Sequence, residues 1–373
     1  MRLLFHGVYF HPEVGGMESH ILHLAEGLVQ RGAKITLVAS RSVEGTKRHE
    51  IYKGLEIFRV PLIFRNPVGW FLYVIFSLPR FILLSSSHDL LHCHSFASAF
   101  AGAIAKRRKP LVVTIHTSHF NVLSRKKVLR PFFRIMLNRA DHIIAVSNEL
   151  ASIVRSIVPG KPVTRLTNAV DVEMFQMGEE KMFVRQESSA IRLFYSGHLL
   201  HKKGVDVLIR ALPDLRFNWN LKIVGEGPLR DDLDRLIASL NLLEQVEFVG
   251  MKPHDEMPVL IKSADIVIIP SRIEATSIAA LEAMACGKVI VASDIGGLPE
   301  IVQEGWGYLF KAGDAKELAR VLNKACEERE RFPDMGMKGS EFVRKHYSTK
   351  THCDFHEELY HGLIERHSTK GTA

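Results

Sequence analysis

Short apolar runs alternate with helical patterns along this chain, and the alternation occurs in two separate series. The first series contains six candidate strands, at 2–7, 34–40, 55–62, 89–95, 110–117 and 142–147. The second series contains five, at 191–197, 221–227, 246–250, 264–271 and 288–293. Continuously apolar strands separated by helices are typical of parallel sheets covered on both faces. The pattern therefore predicts an α/β chain with two Rossmann-like, doubly wound domains.

The length of the chain supports this division, because 373 residues exceed what one hydrophobic core usually holds. The polar stretch 176–190 is the predicted linker, which places the domains at 1–175 and 191–349. The amphipathic tail at about 350–367 is predicted to be helical. We expect the carboxyl-edge loops of the two sheets to face one another across a central cleft, where ligands of such sheets bind.

The composition excludes several classes of protein. Hydrophobic residues make up 46% of the chain and charged residues 24%, which argues against disorder. The cysteines are scattered without a CxxC pair, so we expect a reducing compartment and no disulfide framework. The sequence HCH at 92–94 ends a predicted strand, where neighbouring side chains point to opposite faces. This alternation argues against a metal site there.

The longest apolar stretch, 67–84, contains Pro79 and Arg80. These residues leave an uninterrupted apolar run shorter than the roughly 20 residues that a membrane-spanning helix needs. A buried or interfacial helix is the prediction. The first apolar run, Leu3 to Phe5, is too short for a signal peptide. We therefore expect the protein to act in the cytoplasm or at the inner face of the cytoplasmic membrane.

The net charge of +8 is concentrated in the first half, at 106–109 and 125–134. The second cluster interleaves cations with apolar residues, which suits an interfacial helix on anionic lipid. A solvated basic face, or electrostatic steering of a polyphosphate ligand, is the alternative. The chain carries no recognisable nucleic-acid-binding signature, so nucleic acid is not an expected partner.

Candidate binding residues of the first domain follow its strands. Gly15 and Gly16 come between the first strand and a helix, where glycine lets the backbone approach a ligand and free amides favour an anion. His116 lies at the carboxyl end of a predicted strand and is a candidate to bond a sugar hydroxyl or a phosphate. A histidine that only caps the sheet is the alternative.

The second domain opens with two glycine-rich turns. Gly197 and His198 follow its first strand, and Lys203 stands beside a glycine at a predicted helix start. A lysine in that position is suited to neutralising a diphosphate, although it could also be a solvated side chain. Gly225 and Glu226 follow the next strand, in a turn that is predicted to flank a nucleotide.

The segment EATSIAALEAMACG, 274–287, carries two carboxylates in an otherwise uncharged stretch. Thr276 or Ser277 is predicted to cap a helix that begins near Ile278 and ends at Gly287. Glu282 then lies beside the apolar stripe, where an unpaired carboxylate costs several kcal/mol. A ribose diol would satisfy both of its oxygens, and an ion pair with Arg272 is the structural alternative. Glu274, in the preceding loop, is placed to accept sugar hydroxyls.

These motifs occur in one order: a strand with GG and a helix, a strand-end histidine, SGxxxxxKG, GEG and E-x7-E. In this combination, along essentially the whole chain, the sequence resembles the retaining glycosyltransferases of family four. The resemblance implies the B-type glycosyltransferase (GT-B) fold, with a final helix that crosses back to the first domain. It also implies a nucleotide-diphospho sugar as donor, no metal and no other cofactor.

The resemblance implies a role for each matching residue. Gly16 would meet the donor diphosphate or the acceptor, and His116 the transferred sugar. Lys203 would hold the diphosphate, Glu282 the ribose hydroxyls, and Glu274 the hydroxyls of the sugar near the reacting carbon. His116, Lys203 and Glu274 are therefore the predicted catalytic residues.

Two departures from the family pattern bear on these roles. His198 stands where the family usually has arginine, which would weaken diphosphate stabilisation unless His201, Lys202 or Arg230 compensates. EATSIAAL replaces the more common glycine-aromatic-glycine sequence after the first glutamate, and Thr276 and Ser277 add hydroxyls there. Neither departure removes the lysine or the two glutamates.

The expected function is transfer of a sugar, with retention of anomeric configuration, from a nucleotide-diphospho sugar to a glycan, lipid-linked or small-molecule acceptor. Two alternatives remain at this point: a nucleotide-sugar epimerase of the same fold, and a nucleotide-sugar-binding subunit with weakened turnover. The sequence does not specify the sugar, the nucleotide, the linkage or the oligomeric state.

Overall fold

The chain divides into two compact units in a computed structural model that describes residues 1–13, 15–116, 118–176 and 190–370, with only the backbone of residues 118, 119 and 370. The first unit comprises Met1–Ala169 and Thr349–Ala373, and the second Val170–Ser348. The predicted linker, 176–190, lies almost entirely outside the described residues.

The first unit is built on an eight-stranded sheet with the order β3-β4-β2-β1-β5-β6-β7-β8. Its strands are β1 (Arg2–Gly7), β2 (Lys34–Arg41), β3 (His49–Tyr52), β4 (Leu55–Pro61), β5 (Leu90–His94), β6 (Leu111–Ile115), β7 (His142–Ala145) and β8 (Val163–Arg165). All neighbouring pairs are parallel except β3 with β4, which is antiparallel. The sheet is therefore parallel with one antiparallel edge strand.

Seven helices belong to the described part of the first unit. They are α1 (Gly16–Gln30), α2 (Pro67–Ser85), α3 (Phe96–Ala105), α4 (Ser118–Ser124), α5 (Arg130–Asn138), α6 (Asn148–Ile157) and the C-terminal α14 (Thr349–Lys370). Tyr360 and Leu363 of α14 are buried in the same hydrophobic core as Ile21 and Leu24 of α1. The C-terminal helix thus returns to the first unit, as predicted.

The second unit is built on a six-stranded parallel sheet with the order β11-β10-β9-β12-β13-β14. Its strands are β9 (Ile191–Ser196), β10 (Trp219–Val224), β11 (Val246–Gly250), β12 (Ile266–Ile269), β13 (Val289–Ser293) and β14 (Gly307–Phe310). Its helices are α7 (Val205–Ala211), α8 (Arg230–Ser239), α9 (Met257–Lys262), α10 (Ile278–Ala285), α11 (Leu298–Ile301), α12 (Ala315–Glu327) and α13 (Phe332–Tyr347).

Successive residues of β12 enter two different cores. Ile266 and Ile268 pack in one cluster, whereas Val267 and Ile269 pack in the cluster on the other face of the sheet. Since both faces of the strand are buried, the sequence is continuously apolar rather than alternating. The prediction of two doubly wound domains is confirmed.

The passage between the units lies at residues 169–170 rather than at the predicted 175. Val170 and Phe175 are buried in a core of the second unit together with Phe194. Residues 170–175, which were predicted to end the first domain, therefore belong to the second unit. The sequence did not indicate this, because a short apolar pair carries no sign of which core receives it.

The helix predicted for the apolar stretch 67–84 is present, since α2 is one continuous helix of 19 residues that contains Pro79. Tyr73 and Phe81 of α2 are fully buried, and the Tyr73 hydroxyl donates to the Gly7 carbonyl at 2.7 Å. Among the described residues, α2 alone has the length and apolar composition to cross a membrane. Of its apolar 18-residue stretch, 33% is buried. A core helix of a globular unit meets the same criteria, so this is weak evidence for a membrane span.

Candidate functional site

Glycine turns bring three strand ends together at the carboxyl edge of the second sheet. A Cβ on Gly225 would lie 2.0 Å from the Gly197 carbonyl oxygen, and a Cβ on Gly204 would lie 1.9 Å from the Pro270 carbonyl oxygen. Gly204 has a φ of 68° and Gly225 a φ of 142°, which side chains rarely adopt. Only glycine permits this close approach of the loops that follow β9, β10 and β12.

Lys203 and Glu274 form an ion pair at this edge. Lys203 ends a single 3₁₀ turn, His201–Lys203, and its Nζ lies 2.6 Å from Glu274 Oε2. The Ser271 hydroxyl donates to the same oxygen at 3.2 Å. The Glu274 side chain is 9% exposed and that of Lys203 is 26% exposed. The structure therefore brings together two of the three predicted catalytic residues, with the ammonium group still partly accessible.

The loop after β13 covers Glu274. A Cβ on Gly296, which has a φ of 59°, would lie 1.9 Å from the Glu274 carbonyl oxygen. Gly296 was not predicted to be part of the site, although a GG pair shortly after a strand was available as a signal. This glycine lets the loop pass over the backbone of the predicted sugar-binding residue.

The start of α10 offers groups that can bind an anion. The Ser277 hydroxyl accepts the Ala280 N–H at 3.3 Å, which confirms the predicted cap. The first-turn amides, among them that of Ile278, have no intrahelical acceptor. The Thr276 Oγ1 atom is buried and has no hydrogen-bond partner within the described residues. A phosphate or a sugar hydroxyl would satisfy both kinds of group.

Glu282 is buried on α10, as predicted, but its partner was not predicted. The proposed structural partner, Arg272, instead makes a bidentate pair with Asp206 at 2.6 and 2.7 Å. His254 Nε2 lies 2.8 Å from Glu282 Oε1, and the Glu282 side chain is 8% exposed. The hydrogen bond that His254 donates to the Glu282 carboxylate raises the pKa of His254. Within the described part of the chain, the bond to His254 uses Oε1 of Glu282, and we expect Oε2 to be available to a ligand.

The sequence offered little signal for His254. The residue lies in a 3₁₀ turn, His254–Glu256, that follows β11, and it precedes Glu282 by 28 positions. The ring of His254 also approaches Phe175, with 5.2 Å between centroids. Helical periodicity predicts only which residues are neighbours on the same helix. It therefore does not predict that a residue from another loop, such as His254, contacts Glu282.

The His254–Glu282 pair predicts a pH effect on the second unit. Because the folded-state pKa of His254 is raised above 6.5, the stabilisation by this pair is present below about pH 6.5 and is lost as pH rises through the folded-state pKa. We expect His254→Gln to lower the melting temperature by a few degrees near pH 6, with a smaller difference near pH 9. Thermal melts of the unmodified protein and of His254→Gln between about pH 6 and pH 9 measure the difference in melting temperature. A difference that grows with pH would contradict the assignment.

Two other predicted residues, His198 and Glu226, have exposed side chains at this edge. Their backbone carbonyls accept bonds, from the Tyr195 hydroxyl at 3.1 Å and from the Leu199 amide at 2.9 Å. Arg230, considered as a substitute for the missing family arginine, is bonded to Asp234 and lies over the Phe248 ring. Arg230 would have to leave these contacts to reach a diphosphate.

The remaining predicted residues lie in the first unit. Gly15 and Gly16 are at the start of α1, where the predicted GG turn before a helix is confirmed. His116 is buried directly after β6, and burial lowers its pKa to about 3. Its Nδ1 donates to Asn168 Oδ1 at 3.2 Å, and its Nε2 lies 3.3 Å from His94 Nδ1. His116 is therefore neutral and engaged with its own unit at both nitrogens.

Two doubly wound units, with a lysine, a helix start and two carboxylates at the sheet edge of the second unit, are the features expected of a glycosyltransferase of the GT-B fold. Solved structures share this fold along nearly the whole chain. Sucrose-phosphate synthase from Thermosynechococcus elongatus matches with a TM-score of 0.87 at 20% identity, covering 98% of this chain and 99% of that one. Anabaena HepE, in complex with UDP-glucose, matches with a TM-score of 0.77 at 21% identity, covering 97% and 100%.

Comparisons of sequence identify the family. The model of "Glycosyltransferase Family 4" matches residues 14–174, and that of "Glycosyl transferases group 1" matches residues 179–342. An uncharacterized glycosyltransferase of Methanocaldococcus jannaschii is 31% identical over 78% of this chain and 79% of its own length. The GPI3 subunit of Saccharomyces cerevisiae phosphatidylinositol N-acetylglucosaminyltransferase is 27% identical over 85% of this chain and 73% of its own length. The chain belongs to glycosyltransferase family four.

Proposed function

We propose that the protein transfers a sugar from a nucleotide-diphospho sugar with retention of anomeric configuration. The observation that carries this proposal is the Lys203–Glu274 pair, which lies at the same strand edge as the start of α10. The ammonium group and the helix amides suit a diphosphate, and Glu274 suits the hydroxyls of the sugar. The UDP-glucose bound by Anabaena HepE, a protein of the same fold, supports a donor of this class.

The proposed reaction needs no protein nucleophile. The bond between the anomeric carbon and the diphosphate oxygen breaks, and the acceptor hydroxyl attacks that carbon from the same face. The hydroxyl proton passes to the departing phosphate oxygen. Lys203 and the amides of α10 stabilise the negative charge that develops on the diphosphate. Glu282 holds the ribose, which fixes the donor in the reactive orientation.

The proposed transfer uses no metal ion, since Lys203 and the α10 amides supply the positive charge that a metal would otherwise provide at the diphosphate. We expect the initial rate of sugar transfer to be unchanged when a chelator is added at the start of the assay. A rate that falls with chelator and returns with magnesium would contradict this part of the proposal.

A donor panel tests the function. The protein is incubated with UDP-, GDP-, ADP- and TDP-sugars and a lipid and glycan extract, and release of nucleoside diphosphate is measured. We expect one class of donor to release nucleotide only when acceptor is present, and NMR of the product to show the anomeric configuration of the donor. Folded protein that neither binds nor consumes any donor would overturn the proposal. Product formed without acceptor would indicate an epimerase.

We infer further that the acceptor is held at an anionic membrane surface, because the first unit has a continuous exposed apolar face. Phe71 of α2 contacts Phe100 of α3, and Phe100 stacks on Phe132 of α5, with ring centroids 6.3 and 5.7 Å apart. Further exposed apolar side chains lie on α2, in the turn before α5 and on α5: Val68, Ile75, Phe76, Leu83, Val128 and Ile135. Exposed apolar patches of this kind mark interaction sites.

Cations accompany the apolar face. The exposed basic residues of 125–134 are Arg125, Lys126, Lys127, Arg130 and Arg134. Apolar side chains beside several lysines and arginines favour binding to anionic lipid. The similarity to the GPI3 subunit of phosphatidylinositol N-acetylglucosaminyltransferase supports a lipid acceptor.

Vesicle flotation tests the membrane surface. We expect the protein to float with vesicles that contain anionic phospholipid at low salt, and to release them at high salt. Ile135→Glu, in the apolar face, should reduce flotation severalfold. Leu243→Glu is the matched control, because Leu243 is 68% exposed in the second unit and Ile135 is 72% exposed. Equal flotation of the two variants, or no flotation of the unmodified protein, would contradict the proposal.

A further inference from the structure

Buried histidines gather in the core of the first unit. They come from four separate segments of the chain and are His20 on α1, His92 and His94 on β5, His116 after β6, and His352 and His356 on α14. The nitrogen lone pairs of neutral imidazoles are available to a metal ion.

We propose that His20, His94 and His116 bind one divalent transition-metal ion, with zinc the preferred ion. One ligand nitrogen from each ring lies within 4.8 Å of the other two. The distance from His94 Nδ1 to His116 Nε2 is 3.3 Å. Zn–N bonds of about 2.0–2.1 Å place tetrahedral ligands about 3.3–3.4 Å apart. His94 and His116 are thus already at the required separation, and His20 needs to shift by no more than about 1.5 Å.

Unpaired nitrogens support a ligand at this position. His20 is 2% exposed, and neither of its ring nitrogens has a hydrogen-bond partner among the described residues. Most buried polar side-chain atoms in proteins have a partner, and an unpaired one calls for an ordered water or an ion. Three rings that converge on one point favour the ion.

The surroundings orient the rings for this role. Asn168 Oδ1 accepts the Nδ1–H of His116, which leaves the Nε2 lone pair directed at the cluster. The neighbouring His92 is not a ligand, because its two nitrogens bond the Tyr360 and Thr114 hydroxyls at 2.6 and 2.7 Å. Metal-binding histidines are commonly held by a bond from their second nitrogen, as His116 is here.

The ligand set indicates the kind of metal. Three imidazoles without a carboxylate suit zinc, cobalt, nickel or copper rather than magnesium or calcium. Water or hydroxide would complete a tetrahedral site. The sequence had argued against a metal at HCH, and Cys93 does point away, toward Gly102. The third ligand comes instead from α1, which the spacing of the motif could not show.

The proposed ion lies in the first unit and takes no part in the proposed transfer chemistry. It changes the predicted role of one residue, because a metal-bound His116 Nε2 would not contact the transferred sugar. The ion would instead join α1 to the ends of β5 and β6. It would therefore act on the stability of the first unit, which can be measured without any activity assay.

Metal analysis of the full chain tests the site. The protein is expressed with added zinc, passed through a desalting column, and analysed for metal by mass spectrometry. We expect about one zinc ion per chain, and His20→Gln to weaken zinc binding by at least about 100-fold. His49→Gln is the control, because His49 is an exposed histidine of the same unit and should leave zinc binding unchanged. Cobalt in place of zinc should give the intense visible absorption of a tetrahedral site.

Two further measurements keep the test decisive if His20→Gln folds poorly. Asn168→Ala retains all three ligands and should weaken zinc binding about 10- to 100-fold. Zinc should also raise the melting temperature of the unmodified protein and of His49→Gln, but not of His20→Gln. Absence of stoichiometric zinc, or equal zinc binding by His20→Gln and His49→Gln, would overturn the proposal.

Discussion

Replacing Lys203 with alanine is expected to lower the turnover of sugar transfer by about 100- to 1,000-fold, the usual effect of removing one preorganised group from a developing negative charge. Lys203 is suited to this role because Glu274 holds its ammonium group at 2.6 Å and the side chain keeps partial access to ligand. The charge on the diphosphate grows in the transition state, so the loss should fall on kcat more than on KM. Steady-state kinetics with the best donor of the panel measure both.

Lys202→Ala is the matched control for this experiment. Lys202 belongs to the same 3₁₀ turn, and its backbone carbonyl accepts the Arg272 amide at 2.8 Å, a bond that alanine keeps. We expect this variant to lose less than about tenfold of its turnover, because it removes a positive charge from the same turn but leaves the ammonium group that Glu274 holds. A loss below tenfold for Lys203→Ala, with the fold intact by circular dichroism, would remove Lys203 from the catalytic residues.

The environment of this lysine could be predicted in large part from the sequence. A strand, a glycine turn, a lysine and a helix start lie within nine residues, 196–204, so local rules place them at one edge. Ser277 before an apolar run and Gly287 after it likewise give the limits of α10, where Gly287 has a φ of 70°. Contacts between distant loops, such as Gly296 against Glu274, need the three-dimensional fold.

The first unit shows where local reasoning fails. Pro79 and Arg80 interrupt the apolar run of α2, but Tyr73 and Phe81 are buried on either side of Pro79 and the helix is continuous. The short strands β3 and β8 were not predicted, because neither contains a fully buried residue that would give a strand its apolar pattern. Tertiary burial, rather than propensity, decides these elements.

The resemblance implies an arginine at the position of His198. In the proposed mechanism, its absence leaves Lys203 to stabilise more of the negative charge on the diphosphate. His198 is exposed, and Arg230 donates a hydrogen bond to Asp234 and lies over the Phe248 ring. We therefore expect His198→Arg to raise turnover, because a permanent charge would join Lys203 at the diphosphate. Kinetics of this variant with the same donor measure the effect. A fall in turnover would indicate that the neutral ring suits the native donor better.

Glu282→Ala is expected to raise the dissociation constant of the nucleoside diphosphate about 100-fold, which corresponds to about 2.7 kcal/mol. Hydrogen bonds to a charged group contribute about 1.5–3 kcal/mol each, and Glu282 has one oxygen free of His254 for the ribose. The free energy of unfolding should fall by less, about 1–2 kcal/mol. His254 is 33% exposed, so it can lose its proton and bind water when the carboxylate is removed.

A ligand without the ribose hydroxyl separates this role from a structural one. The unmodified protein should bind the 2′-deoxy form of the same nucleotide about 10- to 100-fold more weakly than the ribose form, because the carboxylate then loses one of the two hydroxyl donors of the ribose. Glu282→Ala should bind both forms with similar affinity, since neither can reach a carboxylate. Calorimetric titration gives the four dissociation constants, and urea unfolding gives the stability. Equal discrimination by both proteins would assign Glu282 to the His254 pair alone and remove it from the donor site.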